Sequence, residues 1–158
     1  MDEMHLIRRL AARLQQRGAH LAIAESSTGG LLGHWLTDVP GSSAYFLGSV
    51  IAYADSLKER ILGVPPETIA RNGAVSAATA CAMARGVRRL TGAELGLALT
   101  GIAGPEGGRP GKPVGTAYIA AVVGSTCWVW RHGWHSRDRR ANKRRSAAAA
   151  IADLLLIL

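Results

Sequence analysis

Residues Ala24 to Gly30, Ala-Glu-Ser-Ser-Thr-Gly-Gly, place two serines and two glycines where an apolar strand should pass into a helix. Leu21, Ala22 and Ile23 read as the end of a buried strand, and Leu31, Leu32, Trp35 and Leu36 recur at helical spacing. A serine at such a joint can be presented beside free backbone N–H groups, the arrangement that sets a nucleophile next to an oxyanion or phosphate cradle. The same residue types also serve as ordinary helix N-caps, so the segment alone leaves both readings open. A second chemical segment runs from Thr100 to Pro113 and is too dense in Gly and Pro for regular structure. It is not a Walker A loop, because Lys112 follows Gly111 but is followed by Pro113 and then a strand. Its glycines let backbone N–H groups approach a ligand closely, and loops of this length in compact domains tend to be functional.

The elements that must position these segments alternate between helix and strand. Leu6, Ile7, Leu10 and Leu14 predict an amphipathic helix over Glu3 to Arg17, ended by Gly18. A strand through Ile23, a helix from Thr28 to Thr37, a Pro40-Gly41 turn and a strand from Tyr45 to Tyr53 follow. A short helix at Leu57 to Leu62 stops at Gly63, Pro65-Pro66 opens another, and Ser76 caps a long helix reaching about Leu90. Leu95 to Leu99 predicts a third strand, Val114 to Val123 and Thr126 to Trp134 a hairpin about Gly124-Ser125, and Asp138 to Leu156 a closing helix. The pattern predicts an α/β fold, a three-layer α/β/α sandwich around a mixed sheet. With 158 residues and 48% hydrophobic composition, residues 1–158 are expected to form one domain.

A formal net charge of +8 suits an anionic partner, a phosphorylated small molecule or a nucleic acid, and equally suits solubility. Arg137, Arg139, Arg140, Lys143, Arg144 and Arg145 concentrate that charge around Asp138. They could follow nucleic-acid phosphates or an acidic membrane surface, form a solvated helix face, or send one arginine to a substrate phosphate. No aromatics are interleaved and no nucleic-acid module is recognisable, which argues against nucleic acid as the partner. Cys81 and Cys127, far apart in apolar segments, read as reduced core residues rather than a disulfide frame or a zinc knuckle, from which a reducing compartment is expected. No leader is recognisable and the apolar run near the end is short and broken by Asp153, so a soluble cytoplasmic protein without a membrane partner is expected. His132 and His135 stand three apart on a strand and face opposite sides, which argues against a metal site.

Taken together, several blocks carry a more specific signal. Glu25-Ser26-Ser27-Thr28-Gly29-Gly30, Pro40-Gly41-Ser42-Ser43-Ala44, Tyr53 with Lys58 five residues on, and Leu62-Gly63-Val64 occur in that order. Gly73-Ala74-Val75-Ser76, Thr100-Gly101-Ile102-Ala103-Gly104-Pro105, Gly107-Gly108 and Lys112-Pro113-Val114-Gly115-Thr116 complete the set. In these blocks, over almost its whole length, the chain resembles the CinA C-terminal domain family. The resemblance implies a nicotinamide-nucleotide amidohydrolase (NMN deamidase), which converts nicotinamide mononucleotide to nicotinic acid mononucleotide and ammonia in pyridine nucleotide recycling. It also implies a homodimer, and needs no metal or other cofactor. The N-terminal domain of full-length CinA proteins, associated with ADP-ribose pyrophosphatase activity, has no counterpart in this sequence.

By motif, the family's catalytic serine, tyrosine and lysine correspond to Ser26, Tyr53 and Lys58. A hydroxyl is a poor nucleophile and an amide a poor electrophile, so attack needs a base and a stabilised oxyanion. Lysine can be that base only when neutral, which burial or neighbouring cations would favour. Tyr53 could relay a proton between Lys58 and Ser26 or donate to departing ammonia. The backbone of Thr28, Gly29 and Gly30 is the expected oxyanion hole. Thr100, Gly101, Gly104, Gly107 and Gly108 are expected to line the nucleotide pocket, Lys112 to meet the phosphate, and Glu25 to orient the site or hold the ribose. The chain departs from the family pattern at Ser27, usually cysteine, at Leu47-Gly48-Ser49 after Phe46, and at Ala54-Asp55-Ser56-Leu57. Arg137-Asp138-Arg139 matches the family's Gly-Asp-Arg segment only loosely. A pyridine-nucleotide-binding relative that has lost nucleophile activation remains the alternative reading.

Overall fold

Alternating residue size along the strands decides how the layers stack. The structure, a computed structural model, describes residues 3–158. Its sheet has five strands in the order β2-β1-β3-β4-β5: β1 Leu21–Glu25, β2 Phe46–Ile51, β3 Leu95–Gly101, β4 Thr116–Val123 and β5 Thr126–Gly133. β1 pairs in parallel with β2 and β3, whereas β4 and β5 run antiparallel as the hairpin, so the sheet is mixed as expected. Side chains alternate faces along a strand. Leu21, Ile23, Leu95, Leu97, Leu99 and Ile119 therefore point to one side, where they join α1 (Glu3–Arg17), α2 (Leu31–Thr37) and α6 (Arg139–Ile157) in one core.

The opposite face is lined by small residues, among them Ala22, Ala24, Ala98 and Ala120. They admit α5 (Ala77–Thr91) through Ala80, Met83, Ala84 and Val87, with α3 (Asp55–Arg60) and α4 (Pro66–Asn72) feeding into it. The approach is close on the other side of α5 as well: a Cβ on Gly86 would lie 1.9 Å from the Leu62 carbonyl oxygen. Only glycine fits there. The α/β/α layering predicted from the sequence is thus the observed one.

Boundaries match the residue patterns where capping chemistry is local. Ser76 caps α5 by accepting from the Thr79 amide, and Asp138 caps α6 by accepting from Arg140 and Ala141. α2 begins at Leu31 rather than Thr28, because residues 26–30 form turns instead of helix. The cysteine reading is overturned: Cys81 on α5 and Cys127 on β5 form a disulfide. Separation by 46 residues hid the pair, which the fold brings together by packing α5 across the far end of the sheet. The cysteines therefore give no argument for a reducing compartment. Among the described residues no helix is long and apolar enough to cross a membrane.

Candidate active site

Where β1 ends, the chain stays tied to β3 for one more residue, the Ser26 amide donating to the Leu99 carbonyl at 3.0 Å. This places the Ser26 side chain in a cavity of about 320 Å³, within the range of small-molecule sites. The Ser26 hydroxyl is slightly exposed and makes no hydrogen bond to another described residue. Ser27 lines the same cavity with its hydroxyl equally unengaged.

Tyr53 and Lys58 line that cavity too, so the three predicted catalytic side chains meet in one recess. Lys58 is 1% exposed although it sits on a six-residue helix. Its Nζ donates to the Tyr53 carbonyl at 2.9 Å and to Asp55 Oδ1 at 3.4 Å. The expected burial is present; the charge beside it is a carboxylate rather than a second cation. Tyr53 is 59% exposed at the rim, and its phenol oxygen accepts from Arg139 Nη2 at 2.9 Å. That bond fixes the oxygen and leaves the phenolic proton free to be donated.

Arg139 is the functional candidate that the sequence reading left among the basic residues of the last helix. As the first residue of α6 it reaches back, donating also to the Gly104 carbonyl at 2.8 Å. Gly104 is required by geometry: its φ is 87°, and a Cβ would lie 2.4 Å from Val114 Cγ1. The signal for Arg139 was the Asp138 cap, which fixes where α6 starts and hence which arginine faces the Gly-rich loop. Asn142 anchors the same joint by donating to the carbonyls of Ala103 and Ser136. Three cations, Lys58, Arg109 and Arg139, face two carboxylates, Asp55 and Glu106, around the cavity.

A profile of the CinA C-terminal domain matches residues 3–158. The chain belongs to the CinA C-terminal domain family. It is 49% identical over 146 residues to a CinA-like protein of Geobacter metallireducens, covering 92% of this chain and 35% of that protein. A CinA-like protein of Salinibacter ruber is 49% identical over 144 residues, 91% of this chain and 35% of that one. The chain thus spans about a third of the length of these relatives. Solved structures match over both chains: the competence/damage inducible protein CihA from Agrobacterium tumefaciens has a TM-score of 0.94 at 33% identity, covering 99% of this chain and 95% of that one. A CinA superfamily protein from Klebsiella pneumoniae has a TM-score of 0.93 at 34% identity, covering 98% and 96%.

Within this CinA domain the other predicted site residues divide. Thr100, Gly101, Gly104 and Gly107 line the Ser26 cavity, with the Thr100 hydroxyl donating to the Ala74 carbonyl at 2.9 Å. Gly108 instead borders a neighbouring recess with Pro113 and Arg137. Lys112 borders a further one with Asp55, Arg71 and Arg109, and its Nζ donates to the Asn72 carbonyl at 2.6 Å. Loss of hydration there, then Arg109 and Arg131 nearby, hold its pKa below the ordinary lysine value.

Glu25 lies outside the set that lines the cavity. Fully buried, it accepts from Thr28 Oγ1 (2.7 Å), Gly30 N (3.0 Å), Leu32 N (3.2 Å), Gly33 N (2.9 Å) and Ser49 Oγ (3.0 Å). It ties down the start of α2, a role its strand-end position alone does not reveal. This also revises the expected oxyanion hole. The Gly30 amide is spent on Glu25 and the Gly29 amide on the Ser26 carbonyl. The amides of Ser27 and Thr28 are the ones left without a described acceptor. The basic segment is likewise divided: Arg139 serves the cavity, Arg144 pairs with Glu3 and lies over Trp35, and Lys143 approaches Ser27 and Gly29.

Proposed function

We propose that this domain is an amidohydrolase that cleaves the carboxamide of nicotinamide mononucleotide, releasing ammonia through a serine nucleophile. The observation that carries the reading is the gathering of an unengaged Ser26 hydroxyl, the Tyr53 phenol and a buried Lys58 amine around one cavity. A neutral Lys58 has two N–H groups, and the two acceptors beside it, the Tyr53 carbonyl and Asp55, would use both and leave its lone pair for a proton. Ser26 Oγ attacks the amide carbon while its proton passes, through Tyr53 or one water, to Lys58. The tetrahedral oxyanion is met by the free amide of Ser27, which lines the cavity beside Ser26. Its collapse breaks the C–N bond as the proton held by Lys58 goes to the departing nitrogen, leaving an acyl ester on Ser26. Water, giving its proton to the same base, then releases the carboxylate and restores Ser26. The cationic wall of Arg109, Arg139 and the adjoining Lys112 suits the nucleotide phosphate.

Incubation with nicotinamide mononucleotide and measurement of ammonia tests the reading. Ser26→Ala and Lys58→Ala should each reduce ammonia release by on the order of a thousandfold or more. Full activity in Ser26→Ala would reject the nucleophile.

A second reading, a domain that binds the nucleotide without hydrolysing it, is favoured by one observation: Ser26 and Lys58 are not hydrogen-bonded to each other. Catalytic hydrogen bonds often tighten only with substrate present. Saturable nucleotide binding with no ammonia, unchanged by Ser26→Ala, would decide for that reading.

A further inference from the structure

The last turns of α5 carry Arg85, Arg88 and Arg89, at i, i+3 and i+4 and hence on one helix face. With Gly92, Ala93 and Val122 they line a recess of about 440 Å³. It lies at the opposite end of β3 from the Ser26 cavity, since Ala93 precedes the strand and Thr100 lies near its end. Seven residues of extended chain separate the two by roughly 20 Å.

Three like charges on one face repel unless something neutralises them. Among the described residues no carboxylate pairs with any of the three. The carboxylate next in the chain, Glu94, is turned to His20, accepting from its amide at 2.7 Å and from its ring at 3.0 Å. Two of the guanidiniums are nonetheless held in place. Arg88 donates through Nε to the Ala93 carbonyl at 3.3 Å and through Nη1 to the Gly124 carbonyl, and Arg89 donates through Nη2 to the Leu62 carbonyl at 3.1 Å. A guanidinium has five N–H donors, so each keeps others for a ligand. The Arg85 side chain makes no hydrogen bond or ion pair with any described residue. Fixed, unneutralised guanidiniums around a recess are how proteins recognise phosphate oxygens.

We propose that this recess binds a small molecule bearing two or more linked phosphate groups, at a site separate from the Ser26 cavity. Its volume of about 440 Å³ is that of a small-ligand site, and the room exceeds what one phosphate ion fills. Through Arg89 and the Leu62 carbonyl it adjoins the segment that follows Lys58.

The test is calorimetric titration of the protein at low salt with orthophosphate, pyrophosphate and tripolyphosphate. Affinity should rise along that series and fall as salt is added. Arg85→Gln should weaken tripolyphosphate binding by about tenfold, the worth of one charge-assisted hydrogen bond, and Arg85→Glu more. Arg13→Gln, an exposed position on α1 across the sheet from α5, should leave it unchanged. Absence of tripolyphosphate binding, an Arg85→Gln protein that binds as the parent does, or an equal loss in Arg13→Gln would each overturn the proposal. Because Arg85 is exposed and its side chain makes no hydrogen bond or ion pair with a described residue, Arg85→Gln should melt with the parent, so weakened binding cannot be ascribed to misfolding.

Discussion

Glu25→Gln is the substitution whose cost can be worked from the structure in most detail. The carboxylate has two oxygens and five donors: Oε2 serves Thr28 Oγ1, Gly30 N and Leu32 N, and Oε1 serves Gly33 N and Ser49 Oγ. Glutamine has one oxygen to offer. Its least costly orientation keeps that oxygen at the three-donor position and puts the NH₂ where Oε1 was. Ser49 can rotate its hydroxyl and accept instead of donating, but the Gly33 amide has no such freedom and becomes a buried donor without an acceptor. That costs about 1–3 kcal/mol. Losing the negative charge at the start of α2 adds about 0.3–1 kcal/mol. The total is about 1–4 kcal/mol, or roughly 3–15 °C in melting temperature for a domain of this size. Circular dichroism melts of parent and Glu25→Gln measure it directly, and Glu25→Ala, which removes every acceptor, should fall further. A Glu25→Gln protein melting within about 2 °C of the parent would refute the assignment of Glu25 to structural support. If the residue held a ribose hydroxyl instead, the variant would melt normally and bind nucleotide weakly.

Arg139→Gln should lower ammonia release by about tenfold to a hundredfold, while Arg140→Gln, on the same turn of α6 but outside the cavity, should not; equal losses would remove Arg139 from the site. Burial raises the pKa of Tyr45 above the ordinary tyrosine value, so the folded protein holds its proton to higher pH than the unfolded chain does. Its contribution is present below pH ~10 and is lost as pH rises through the folded value, so Tyr45→Phe should flatten the alkaline fall in stability seen in urea titrations at several pH values. At neutral pH that variant should lie within about 1 kcal/mol of the parent, since the bond from the phenol to the Leu36 carbonyl is long at 3.5 Å. Gly86→Ala should destabilise by about 1–3 kcal/mol or more in the same titrations, because the new methyl group meets backbone rather than a movable side chain.

How much the residue pattern reveals depends on whether the governing interaction is local. Leu6, Ile7, Leu10 and Leu14 mark α1 because their spacing is the helix period, and Ser76 announces α5 because a cap acts within one turn. Interactions across the chain leave no such trace. Arg139 and Tyr53 are 86 residues apart, and the disulfide partners Cys81 and Cys127 are 46 apart, so neither pairing shows in spacing. Glu25 is the intermediate case. Four of its donors lie within eight residues, yet the segment from Thr28 to Gly30 reads as the start of a helix because the residue types before it are those of an N-cap. The carboxylate takes the role of the cap instead, and residues 26–30 become turns that leave the Ser27 and Thr28 amides free.

The position of the cavity follows from strand order. The chain leaving β1 turns through α2 towards β2, on one side, whereas the chain leaving β3 turns through the Gly-rich loop towards β4, on the other. Beyond the carboxyl ends of β1 and β3 the two exits part, and open α/β sheets leave a crevice at such a point. Ser26 is the first residue out of β1, and Thr100 and Gly101 are the last two of β3. The crevice would exist with any side chains on that topology. What this sequence adds is the pair of devices that stiffen its rims: Glu25 fastening the turn below Ser26, and Arg139 joining the Gly104 carbonyl to the phenol of Tyr53. Each can be removed separately, and on the proposed function the first should cost folding stability and the second turnover. Glu25→Gln and Arg139→Gln therefore separate what supports the site from what acts in it.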